Sequence, residues 1–223
     1  MFQNNLVVLE GIDGSGKNTQ SVLLAERIRK ELDIPVTKLS YPCYGKDHCK
    51  PVEMLLNGTL GNSACSTGPY PASVFFAVDR YCDYHMNWAE KYLSGEFILT
   101  DRYTTSNLTC QAGKLFGAER DAYFDWVQDF EYNIMGLPLP GLVIYLDVTA
   151  EISHRAMQVR EKLDIHESDM DFMRRFRECG LFVANKYNWH VLDCCSGDSM
   201  RDMQAINDDL FEIVSKHLQA NLI

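Results

Sequence analysis

Apolar positions along the chain follow two rhythms. Short runs rich in aliphatic, β-branched and aromatic residues at 6–9, 36–41, 97–100, 142–148 and 189–193 predict strands, the clearest of them at 142–148. Between them the spacing changes to that of helices. Leu24, Ala25, Ile28 and Leu32 form a 3.6-residue stripe that predicts a helix over 17–32. Pro71 in its first turn opens a long helix over 71–93, which Gly95 closes. Residues 104–135 read as helical with a break near Gly117, and 169–187 and 200–218 as two further helices. Thr149 is placed as the N-cap of a helix from Ala150 to about Arg160. Residues 42–70 are rich in Gly, Pro, Ser and Cys, with one short helical pattern at 52–56. So long an irregular stretch is uncommon in a compact domain unless it serves a site.

Strands alternating with helices predict an α/β fold, an open five-stranded parallel sheet flanked by helices on both faces. Right-handed crossovers bring the C-terminal ends of all strands to one rim. Gly11, Pro42, Asp101 and Val148 then share that rim, where a ligand is expected.

Composition narrows the setting. The length of 223 residues suits a single domain over 1–223, and no repeat or linker interrupts it. A net charge of −10 argues against a nucleic-acid polymer as partner, because a phosphate backbone requires a basic surface. The chain enters a strand at once, without a signal-peptide pattern, and no apolar run approaches the roughly 20 residues that span a bilayer. A soluble, cytoplasmic protein without membrane contact is expected. The eight cysteines show no C-x-x-C spacing, and the adjacent Cys194 and Cys195 sit at a strand end, a poor place for a zinc cage. Reduced thiols are expected.

Candidate chemistry concentrates after the first strand. Gly11, Gly14, Gly16 and Lys17 spell G-x-x-x-x-G-K between a strand and a helix. Such glycines let the backbone curl its N–H groups onto phosphate oxygens, while the helix end and the lysine supply positive charge. Asn18 stands where Ser or Thr usually binds Mg²⁺, and Thr19 follows. The Asn18 oxygen could bind a hard cation, or the metal could be held through water and phosphate. Asp13 and Asp101 are carboxylates beside an expected triphosphate, so each should face a metal or a hydroxyl. Arg80 and Arg102 are cations in apolar surroundings, suited to phosphate or paired base acceptors. Phe75 and Phe76 lie one turn before Arg80. Arg174, Arg175 and Arg177 read as a solvated helix face, and Arg160 opens the polar stretch where a closing flap is expected.

Several of these motifs, in order and over most of the chain, resemble the thymidylate kinase family. Glu10 to Lys17 is similar to the family's phosphate loop, Phe76-Ala77-Val78-Asp79-Arg80 to its F-x-x-x-R segment, and Asp101-Arg102-Tyr103 to its D-R-Y/H motif. The resemblance implies a P-loop NTPase-like three-layer sandwich with a short lid at about 155–170. It implies transfer of the ATP γ-phosphoryl group to dTMP, giving dTDP for dTTP synthesis, with Mg²⁺ and a homodimer. ATP would be bound by Gly11, Asp13, Gly14, Ser15, Gly16, Lys17, Asn18 and Thr19. By the same resemblance Phe76 would stack on thymine, Arg80, Asn107 and Gln111 would reach the base, and Arg102 would hold the dTMP phosphate. Asp13 would contact the 3′-hydroxyl or an acceptor-side Mg²⁺, and Asp101, with Asn18, would serve the metal. Lys17, Arg160, Asp13 and Arg102 would form the catalytic set, Arg160 because Gly14 leaves no arginine in the loop. Three departures stand out: Asn18, Cys43 where relatives often place an arginine, and Cys110 where they often carry an aromatic residue. The alternatives are a uridylate- or adenylate-kinase-like enzyme and a non-enzymatic nucleotide switch.

Overall fold

The computed structural model describes residues 4–63, 65–157, 167 and 169–221. The first strand, β1 (Leu6–Glu10), is buried along its whole length. Its side chains alternate between two cores, as the two-residue period of a strand requires. Val7 and Leu9 join Leu24, Ala25 and Ile28 on one face, while Leu6 and Val8 join Tyr41, Trp88 and Tyr103 on the other. A strand apolar on both faces needs cover on both, and this explains the uninterrupted run.

The elements in chain order are α1 (Lys17–Leu32), β2 (Val36–Ser40), α2 (Lys50–Leu56), α3 (Pro69–Asp83), α4 (Ala89–Leu93), β3 (Phe97–Asp101), α5 (Thr105–Thr109) and α6 (Gly117–Gln128). They continue with β4 (Leu142–Asp147), α7 (Ala150–Met157), α8 (Met170–Lys186), β5 (His190–Asp193), β6 (Cys195–Ser196), β7 (Ser199–Met200) and α9 (Met203–Asn221). Strands β1 to β5 form one parallel sheet in the order β2-β3-β1-β4-β5. Helices α1 and α9 cover one face through Leu24, Ile28, Leu210 and Val214. Each such buried aliphatic side chain contributes about 1.5–3 kcal/mol. Among the described residues no helix is long and apolar enough to cross a membrane.

The five strands and the α/β architecture follow the expectation, and the differences lie in the helices. The expected helix over 71–93 begins at Pro69, after Gly68, and is broken by a π turn at Tyr84–Trp88. The stretch 104–135 divides into α5, a 3-10 turn at Gln111–Lys114, α6 and a second π turn at Asp129–Ile134. Wide turns of this kind are frequent at functional sites. The last helix begins at Met203, because a small hairpin of β6 and β7 precedes it and the Asp202 carboxylate accepts from the N–H groups of Gln204 and Ala205. Thr149 takes its expected place, accepting from Ile152 N–H at 3.4 Å.

The chain leaves β1 in one direction for β2 and β3, and β4 lies on β1's other side. A crevice therefore opens above the C-terminal end of β1, the usual place for a ligand in such a sheet.

Candidate active site

The loop after β1 fills that crevice. Gly16 sits at φ 87° and starts α1; among the described residues no side chain caps the helix and no acid lies in its first turn. Gly14 sits at φ 76°, and a Cβ there would lie 2.7 Å from both oxygens of Ser153 on α7. No side chain fits position 14, so the loop can carry no arginine of its own there. Lys17 is 6% exposed, and its Nζ donates to Ile12 O at 2.7 Å. Burial first, and then the Arg102 charge, bring the Lys17 ammonium down from 10.5 to about 8, against the pull of Asp101, Asp13 and Glu10. Burial likewise raises the Glu10 carboxyl, which accepts from Ser106 and Thr109 hydroxyls.

Asp13 and Arg102 link the loops that follow the neighbouring strands β1 and β3. Arg102 follows β3 at φ 67°, a left-handed conformation uncommon outside glycine, and its Nη2 donates to Asp13 Oδ1. Burial disfavours the Arg102 charge, yet Asp13, Glu10 and Asp101 together hold the guanidinium above its ordinary range. Asp101 is buried at the tip of β3. Its Oδ2 accepts from Ser40 Oγ at 3.4 Å, and its Oδ1 has no hydrogen-bond partner among the described residues. Asn18 and Thr19 are exposed, and Asn18 Oδ1 accepts from Lys38 Nζ at 3.1 Å.

Two clefts meet at the Asp13–Arg102 pair. One runs along the loop past Gly14, Lys17, Asn18, Asp101 and Glu167. The other, open to solvent, is lined by Phe76, Arg80, Ser106, Asn107, Cys110 and Gln111. Tyr41, Pro42 and Tyr44 border both. Arg80 is 1% exposed and forks onto Glu131, Nε to Oε2 at 2.8 Å and Nη2 to Oε1 at 2.7 Å. Glu131 also accepts from Asn107 Nδ2 at 2.7 Å and Thr104 Oγ1 at 3.0 Å. The Gln111 Oε1 is buried without a hydrogen-bond partner among the described residues.

The thymidylate kinase family profile matches residues 9–202 of this chain. The chain belongs to the thymidylate kinase family. Among relatives, a probable thymidylate kinase of Pyrobaculum calidifontis is 30% identical over 204 residues, covering 90% of this chain and 94% of its own. A probable thymidylate kinase 1 of Saccharolobus solfataricus is 26% identical over 213 residues, 96% of this chain and 98% of its own. The thymidylate kinase of Mycobacterium tuberculosis is 30% identical over 162 residues, 71% and 73%.

In this thymidylate kinase family member Asp13, Phe76, Arg80, Arg102, Asn107 and Gln111 all line the second cleft. Gly14, Gly16, Lys17, Asn18, Thr19 and Asp101 line the first, with Gly11 and Ser15 buried beneath it. Arg160 and most of the stretch 155–170 lie outside the described residues. Arg177 departs from a solvated face, since it pairs with Asp147 through two hydrogen bonds of 2.6 and 2.8 Å, whereas Arg174 keeps one, exposed beside Glu151 and Asp171. Sequence reasoning missed Glu131, Glu10 and the Tyr41–Tyr44 wall. None carried a clear signal: Glu131 sits in a mixed stretch with Asp129 and Asn133, and nothing in its spacing pointed to Arg80.

Proposed function

We propose that this thymidylate kinase family member moves the ATP γ-phosphoryl group to dTMP, giving dTDP for dTTP synthesis, through the residues gathered where the two clefts meet. The observation that carries the reading is that junction: a phosphate loop with its lysine on one side, a cleft lined by Phe76, Arg80, Asn107 and Gln111 on the other, and Asp13 with Arg102 between them. ATP phosphates lie along the loop N–H groups and Lys17, and dTMP takes the Phe76 cleft. Phe76 stacks on thymine, and Arg80, held by Glu131, presents its remaining N–H groups to the base. Asn107, whose Nδ2 donates to Glu131 and Ser73 O, faces the base with Oδ1 as an acceptor for the one thymine N–H, and Gln111 lines the cleft beside it. Arg102 fixes the acceptor phosphate and Asp13 the 3′-hydroxyl. The reaction needs alignment and charge neutralisation more than covalent assistance, which is what these groups supply.

The donor set fits Mg²⁺, a hard cation that prefers oxygen. Asp101 Oδ1, buried and unpartnered among the described residues, is its proposed principal ligand, with Asp13 and Asn18 as further ones. When bound, Mg²⁺ neutralises charge on the β- and γ-phosphates. Arg160, from a lid at about 155–170, is the proposed cation on the transferring group, and the closed lid keeps water out. The reading takes 1–223 as one domain that works in the cytoplasm as a homodimer. A coupled assay with dTMP, dUMP, UMP and AMP tests it. Turnover fastest with dTMP is expected. Faster turnover of UMP or AMP would favour a uridylate- or adenylate-type enzyme, and none at all a nucleotide switch.

A further inference from the structure

Beside the dTMP cleft the turn after β2 brings three metal-binding residue types together. Cys43 lies in that turn, His48 in the 3-10 turn Asp47–Cys49, and Asp79 on α3, one residue before Arg80. A sulfur, a ring nitrogen and a carboxylate oxygen from these residues all lie within 4.8 Å of one another, the one such group among the described residues. Asp79 is 1% exposed, and both its oxygens face the turn: Oδ2 accepts from Cys43 N–H at 2.9 Å, and Oδ1 lies 2.7 Å from His48 Nδ1.

We propose that Cys43, His48 and Asp79 form a binding site for one zinc ion, ligated through Sγ, Nδ1 and a carboxylate oxygen. One thiolate, one imidazole and one carboxylate make a mixed soft and hard donor set, which suits Zn²⁺ better than Mg²⁺ or Ca²⁺. Bonds of about 2.1 Å in a tetrahedron set nitrogen and oxygen donors roughly 3.4 Å apart. The His48–Asp79 contact therefore widens by less than an ångström as the ion replaces the shared proton. His48 then binds as the Nε2–H tautomer, and one proton leaves Cys43 for solvent. Zn²⁺ with a thiolate and a carboxylate sums to zero charge, which removes the cost of a negative carboxylate at a buried site. Three protein ligands leave a fourth position open. Cys49, the residue after His48, is close enough to hydrogen-bond Asp79.

The full-length protein, reduced and stripped with a chelator, is titrated with Zn²⁺ against a chromophoric chelator, and separately with Co²⁺ by absorption. One equivalent of Zn²⁺ is expected, together with a thiolate-to-cobalt charge-transfer band. Cys43→Ser and His48→Gln should each weaken Zn²⁺ binding by at least about tenfold, a floor set by what removing an outer-shell partner costs. Cys65→Ser, at an exposed thiol elsewhere, should leave both signals intact. A wild-type protein without the cobalt–thiolate band overturns the proposal whatever the variants do. So does zinc affinity unchanged in both Cys43→Ser and His48→Gln, which would leave the His48–Asp79 contact as a staple between turn and helix.

Discussion

Lys17 shows how one residue's burial becomes a functional property. Its ammonium is out of water and shares its surroundings with Arg102, so its proton is held only to about pH 8. A lysine is charged below its pKa, and the charge is what a phosphate needs. The alkaline limb of kcat/KM for ATP, which reports the free enzyme, should therefore fall through an apparent pKa near 8. Lys17→Arg should remove that limb, because guanidinium does not titrate there, and Lys17→Ala should reduce kcat by about 10²–10³-fold. The dTMP dissociation constant, read by equilibrium binding, should move little in either variant. A limb unchanged in Lys17→Arg would assign it to another group.

At the scale of elements, α3 lines the proposed dTMP cleft, and the π turn at Asp129–Ile134 braces it from behind. Phe76 and Arg80 are one turn apart on α3, and the π turn supplies the Glu131 that holds Arg80, Asn107 and Thr104 in one network. Phe76→Ala should raise the KM for dTMP by about 10–100-fold, the loss of one base stack, with the KM for ATP unchanged. Glu131 touches no substrate in the proposed reading and acts by positioning. Glu131→Gln should thus raise the KM for dTMP by about tenfold with a smaller change in kcat. Glu131→Ala leaves a buried guanidinium without its partner and should cost about 3–5 kcal/mol of stability, measured by denaturant unfolding. Equal dTMP kinetics in Glu131→Gln and wild type would mean that Arg80 keeps its place without the carboxylate.

For the whole molecule, the strand order brings the end of β1 between those of β3 and β4, and this places residues 13, 80 and 102 around one opening. The proposed homodimer predicts a species of about 51 kDa by sedimentation, twice the 25.5 kDa of the chain. A species at the mass of one chain throughout the working concentration range would remove the dimer from the reading. The sequence by itself determined the sheet and the phosphate loop. Strands, the α1 stripe and the Gly–Lys spacing are local patterns, and each is fixed by steric and burial rules acting within a few residues. Only the tertiary structure decided that Glu131 braces Arg80, 51 positions away, or that Cys43 and His48 lean on Asp79. No periodicity encodes such pairings, since they depend on which buried charges find partners once the layers close. It also decided the π turns, where tertiary packing overrides the 3.6-residue period, and the fit of α7 against Gly14.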